Sequence, residues 1–161
     1  MNSMKNKKLY IVCGPAGSGK STWIKSRLQP EDAYISRDEV RFALVREDED
    51  YFLKEKEVFR RFVDLINLNL STTSCNSVYV DATHISPSSR KKLTNALNIN
   101  ENIEIIFVSV YPDVETCIIQ NNKRTGRAKV PEDVIRAMHE KYIIPSTNEY
   151  QPNATAVILV N

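Results

Sequence analysis

Gly14-Pro15-Ala16-Gly17-Ser18-Gly19-Lys20-Ser21 fits G-x-x-x-x-G-K-[ST] at every fixed position. Leu9-Tyr10-Ile11-Val12-Cys13 just before it reads as a buried strand, and Ser21 to Leu28 continues as an amphipathic helix. Strand, glycine loop and helix in that order make a phosphate cradle. The glycines let backbone amides turn inward, and the helix N-terminus adds partial positive charge. Lys20 would reach the β- and γ-phosphates and the Ser21 hydroxyl would ligate Mg²⁺, with Thr22 supporting the phosphates. The pattern implies ATP or another nucleoside triphosphate, and by itself it leaves the destination of the γ-phosphate open.

Outward from the loop, short apolar runs alternate with helical stretches. Leu9–Cys13, Ala33–Ser36, Ser77–Val80, Ile103–Val110 and Ala154–Val160 read as strands. Lys20–Leu28, a segment from about Asp50 to Leu70, Pro87–Leu97, Asp113–Lys123 and Pro131–Ile144 read as helices. The alternation predicts a parallel sheet with helices on both faces. In the long segment Phe52, Phe59, Phe62, Val63, Ile66 and Leu70 form one apolar stripe, assigned to the core and not to a recognition surface. The acidic run Glu47–Asp50 reads as a solvated turn.

The 161 residues, 42% hydrophobic and 26% charged, suit one domain spanning 1–161, and they argue against disorder or a disulfide miniature. The formal net charge of +2 names no partner. Cys13, Cys75 and Cys117 are odd in number and widely spaced, and the histidines are only His84 and His139, so a disulfide framework and a zinc site are not expected. The basic opening Met1–Lys8 precedes an apolar run too short for a signal core, and no stretch is long enough to cross a bilayer. The expectation is a cytoplasmic protein without a membrane partner, in host cytoplasm if phage-encoded.

In such a sheet ligands gather at the carboxyl ends of strands. Ala33-Tyr-Ile-Ser36 is followed by Arg37-Asp38-Glu39-Val40-Arg41, and Val78-Tyr-Val80 by Asp81-Ala82-Thr83-His84. A kinase needs a carboxylate to orient the incoming hydroxyl and take its proton, and Asp38 stands where one would face the γ-phosphate. Arg41 lies one helical turn on and would pair with an anion beside that hydroxyl. Asp81 has the look of a carboxylate holding the Mg²⁺ shell through water. The basic link Asn121–Lys129 offers Arg124 and Arg127 as lid arginines that would neutralise charge on the transferring phosphate.

Together, G-P-A-G-S-G-K-S-T-W at 14–23, I-S-R-D-E-V-R at 35–41, D-A-T-H-I-S-P-S-S-R at 81–90 and K-R-T-G-R-A-K-V-P-E-D-V-I-R-A-M at 123–138 resemble the 5′-kinase domain of the phage and bacterial polynucleotide kinase family. The resemblance implies an adenylate-kinase-like P-loop NTPase, an α/β three-layer sandwich with a five-stranded parallel sheet. It also implies transfer of the ATP γ-phosphate to the 5′-hydroxyl of DNA or RNA in repair. Asp38 then takes the place of the general base, Arg41 and Thr83 hold the adjacent 3′-phosphate, and Arg124 or Arg127 is the lid arginine. His84 stands where asparagine is common, and Gln120 where many relatives place an arginine. No D-x-D-G-T signature follows, so a kinase module without the companion 3′-phosphatase is expected. Relatives are often oligomeric, and the exposed face of the 50–70 helix offers a homo-oligomer interface.

Two rivals differ in class. A kinase for a small-molecule or tRNA-linked hydroxyl would share the loop, and a neutral metabolite would give Arg41 no anion. A nucleotide-dependent binding module or slow ATPase switch would bind nucleotide without an acceptor.

Overall fold

The computed structural model describes residues 6–150 and 154–161, so the opening Met1–Lys5 lies outside the described residues. The strands are β1 Lys7–Cys13, β2 Ala33–Ser36, β3 Ser77–Asp81, β4 Ile103–Val110 and β5 Ala154–Val160. Between them run α1 Lys20–Arg27, α2 Arg37–Leu44, α3 Glu55–Ser71, α4 Pro87–Ala96, α5 Val114–Asn122 and α6 Glu132–Lys141. The strands pair in parallel as one five-stranded sheet in the order β2-β3-β1-β4-β5. Helices cover both faces, which is the P-loop kinase-like three-layer sandwich.

The two-residue period of a strand sorts β1 between two cores. Leu9, Ile11 and Cys13 point toward α3 and α4, packing with Val58, Phe62, Ile66 and Leu93. Val12 points the other way, toward Ile24 of α1, with Tyr10 against the same cluster. A third cluster, Ala16, Cys117, Ile118 and Ile135, backs the glycine loop with α5 and α6. The register pairs Val12 and Ser36 with Asp81, so the ends of β1, β2 and β3 lie on one rim.

Local chemistry starts each helix near that rim. Ser36 caps α2 by accepting from the Glu39 amide at 3.3 Å. Ser86 and Ser89 form a reciprocal capping box with Pro87 in the first turn of α4. Asp113 caps α5 through the Thr116 amide at 2.8 Å.

The structure corrects two expectations. The long helix begins at Glu55 because residues 51–54 are turns, the Asp50 carboxylate accepting from the Phe52 amide at 2.8 Å. Phe52 therefore leaves the core stripe and is 65% exposed, whereas Phe62, Val63, Ile66 and Leu70 are buried as expected. The last helix stops at Lys141, short of Ile144, because Pro145 disfavours helical backbone before it. No helix among the described residues is long and apolar enough to cross a membrane.

Candidate functional site

The loop between β1 and α1 is shaped by glycines that no other residue replaces. Gly17 has φ 79°, and a Cβ there would overlap the backbone carbonyl oxygen of Cys117 in α5. Gly19 has φ 100° and stands at the N-cap of α1. The Gly14 amide donates to the Thr83 carbonyl at 2.9 Å, which ties the loop to the segment after β3. Pro15, Ala16 and Ser18 are buried in the loop. Thr22 is exposed, turned from the cradle.

Lys20 is buried and donates to the carbonyls of Gly14 at 3.0 Å and Pro15 at 2.9 Å. Burial pushes its ammonium below the usual lysine range, the Asp81 carboxylate opposing the shift and the Arg124 charge adding to it. The Ser18 hydroxyl is buried without a hydrogen-bond partner among the described residues. An anion resting on the loop would meet both needs, since it lowers the cost of the buried charge and can accept from the hydroxyl.

A cleft of about 950 Å³ runs from this loop along the rim. Lys20, Ser21, Asp38, Arg41, Asp81, Thr83, Arg124 and Arg127 all line it, so every charged residue singled out by sequence meets in one place. Among the described residues, eight lysines and arginines line the cleft against four carboxylates, so it favours an anion-rich occupant.

Asp38 and Arg41 share a face of α2, with Arg41 Nη1 donating to Asp38 Oδ1 at 2.6 Å. Two residues that the sequence did not mark complete this group. The Tyr51 hydroxyl donates to the same Asp38 oxygen at 2.8 Å while accepting from Arg41 Nη1 at 2.9 Å. Glu55 grips Arg41 with both oxygens, at 2.7 Å to Nε and 3.0 Å to Nη2. Burial and the neighbouring Asp38 carboxylate push the Tyr51 phenol up to about 12, so it stays a proton donor. Burial is the largest single influence on Arg41 and works against its charge, but the Glu55 hydrogen bonds and the charges of Tyr51, Glu55 and Asp38 together hold the guanidinium above its ordinary value. Of the five N–H groups of Arg41, these bonds occupy four, which leaves one on Nη2. Arg41 is thus held by two carboxylates while it orients Asp38.

Asp81 Oδ2 accepts from the Tyr34 hydroxyl at 2.6 Å. A serine hydroxyl and a carboxylate on one cleft wall form a hard-oxygen donor set of the kind Mg²⁺ takes when substrate phosphates supply the rest of its shell. No cluster of three histidine, cysteine, aspartate or glutamate residues that could cage a metal occurs among the described residues.

The two candidate lid arginines differ. Arg127 donates to the carbonyls of Val45 and, at 2.9 Å, Phe42, with its guanidinium 4.4 Å from the Phe42 ring centre. It is occupied in fastening the 121–129 link to the end of α2. Among the described residues Arg124 makes no side-chain hydrogen bond or ion pair, and its charge reaches Lys20. His84 is buried at positive φ (44°), its Nδ1 3.3 Å from the Val12 carbonyl oxygen, and burial holds its pKa down at about 3. A neutral imidazole wedged there is part of the rim's framework.

Comparison with known proteins bears on the fold and the family. Residues 9–145 match the model of a family described as an AAA domain. A chain in the Pnkp1/Rnl/Hen1 RNA repair complex is 23% identical with a TM-score of 0.71, the match covering 87% of this chain and 45% of that one. A fungal RNA kinase is 16% identical with a TM-score of 0.65, over 96% of this chain and 38% of that one. A gluconokinase from Sinorhizobium meliloti 1021 is 17% identical with a TM-score of 0.53, over 97% and 85%. The chain thus spans less than half the length of the two RNA-acting proteins, and these likenesses are likenesses of fold.

Proposed function

The chain belongs to the AAA domain family, and from that premise we propose that it is an ATP-dependent kinase for the 5′-hydroxyl end of DNA or RNA, working as one domain over residues 1–161. The observation that carries the reading is Asp38, poised by Arg41 and Tyr51 in the same cleft as the phosphate loop, amid an excess of positive charge. Arg41 and Tyr51 both bind Oδ1, which leaves Oδ2 for the acceptor hydroxyl.

In the proposed reaction the 5′-oxygen attacks the γ-phosphorus and its proton passes to Asp38. The bond to the β–γ bridging oxygen breaks in line, and ADP leaves. The amides of the glycine loop and Lys20 hold the triphosphate, while Arg124 neutralises charge on the transferring group. Ser21, with Asp81 at one water's remove, would hold Mg²⁺, which supplies charge neutralisation on the phosphates when bound. The remaining N–H of Arg41, together with Thr83, supports the phosphate 3′ to the reacting nucleotide. Arg127 is assigned to holding the link in place. The excess of cations in the cleft suits a polynucleotide better than a neutral sugar.

The test is transfer of label from γ-labelled ATP to matched 5′-hydroxyl and 5′-phosphate oligonucleotides, with gluconate as a small-molecule acceptor that carries a single carboxylate and no phosphate. Label in the 5′-hydroxyl strands alone supports the proposal. Label in gluconate alone would replace it with the small-molecule reading.

A further inference from the structure

Beyond the reacting nucleotide, the cleft reaches a wall formed by Arg37, Phe59, Ser89, Lys92 and Leu93 that the reaction does not use. Arg37 Nε is buried with no hydrogen-bond partner among the described residues. Its Nη2 reaches Glu55 only at 3.3 Å, because that carboxylate is spent on Arg41 at 2.7 and 3.0 Å. Lys92, from α4, lays its ammonium 4.6 Å from the centre of the Phe59 ring, and the Arg37 guanidinium lies 5.5 Å from the same centre. Among the described residues Lys92 has no carboxylate within ion-pair distance. Two cations therefore flank one aromatic ring: Arg37, with a buried donor unmet and a Glu55 carboxylate that it shares with Arg41, and Lys92, with no carboxylate within ion-pair distance among the described residues.

We propose that this wall is a second acceptor subsite, in which Arg37 and Lys92 take the phosphodiester that follows the one beside Arg41. The proposal rests on the polynucleotide reading above and narrows it: the acceptor is gripped over at least two nucleotides. A phosphodiester supplies the acceptor oxygens that Arg37 Nε lacks and the negative charge that Lys92 lacks and that Arg37 has only by sharing Glu55 with Arg41. An apolar group would leave Nε unmet, and a neutral sugar would leave the Lys92 charge unbalanced. Arg37 and Asp38 are consecutive residues at the head of α2, so a strand whose first hydroxyl meets Asp38 need advance only a short way to meet Arg37.

The test compares two acceptors under saturating ATP and Mg²⁺, a nucleoside 3′-monophosphate and the dinucleotide with a 3′-phosphate, in the wild type and in Lys92→Gln. Lys92 is exposed, so the variant should fold. In the wild type, KM for the dinucleotide is expected about tenfold below that for the mononucleotide. Lys92→Gln should raise the dinucleotide KM about fivefold and leave kcat and the mononucleotide KM within about twofold, and Lys92→Arg should restore the difference. The slope of dinucleotide affinity against log salt should fall by about 0.7. Equal KM for both acceptors in the wild type, or a Lys92→Gln effect equal on both, would overturn the subsite while leaving the kinase reading in place. No transfer to either acceptor by a protein that still binds ATP would overturn that reading and the subsite with it.

Discussion

Replacing Glu55 with glutamine tests whether the acceptor carboxylate is held by a network or stands alone. In the wild type Glu55 accepts two charge-assisted hydrogen bonds from Arg41, at 2.7 and 3.0 Å. Glutamine keeps one acceptor and turns a donor toward the Arg41 fork, so at least one N–H of a guanidinium side chain only 7% exposed loses its partner. Such bonds contribute about 1.5–3 kcal/mol, which the 31% exposure of Glu55 reduces to about 1–2 kcal/mol. For a chain of 161 residues that is about 2–8 °C in Tm. The pH dependence supplies a sharper signature. Burial alone would raise the Glu55 carboxyl, but the hydrogen bonds and charge of Arg41, with Arg37 behind, hold it below the ordinary 4.5. A carboxylate depressed by folding contributes fully above pH 4.5, and the contribution is lost as pH falls through the lower folded value. Urea unfolding of wild type and Glu55→Gln should therefore differ at pH 7 and converge in acid below pH 4.5. A gap that is absent at pH 7, or unchanged in acid, would refute the reasoning.

Other perturbations separate framework from chemistry. Arg127→Ala should lower Tm by several degrees through loss of the Phe42 and Val45 carbonyl bonds, while Arg124→Ala leaves Tm unchanged and lowers kcat about 100-fold; calorimetry beside the label assay distinguishes them. Gly17→Ala should destabilise by about 3 kcal/mol or more, read by urea midpoint, because its Cβ meets backbone and not a movable side chain. His84 is neutral in the fold with its pKa lowered to about 3, whereas the unfolded chain takes up that proton below about 6.5. Stability should thus fall by about 1–2 kcal/mol between pH 7 and pH 5, a drop that His84→Gln removes on the same unfolding curves.

Features written into contiguous sequence were legible. The loop at 14–21 needs glycines at fixed positions for steric reasons, and Asp38 with Arg41 needs only the pitch of a helix. Ser86-Pro87 marked the start of α4 by capping chemistry alone. What escaped the reading depends on tertiary contact. Tyr51 and Glu55 reach Arg41 from 10 and 14 residues away across a turn, a spacing with no periodic signature. Phe52 matched the apolar stripe by count, yet the helix it was assigned to begins after it, so its ring stays on the surface. That Arg127 differs from Arg124 by donating to the carbonyls of Phe42 and Val45 is likewise a tertiary contact that no motif encodes.

The central claim is that Asp38 delivers the 5′-hydroxyl of a polynucleotide to the γ-phosphate held on the glycine loop. Single-turnover transfer of label from γ-labelled ATP to a 5′-hydroxyl oligonucleotide, wild type against Asp38→Asn, with ATP affinity measured in parallel, tests it most directly. The account predicts transfer reduced about 10²–10⁴-fold in the variant with ATP affinity unchanged. Transfer to the 5′-hydroxyl undiminished in Asp38→Asn would contradict it.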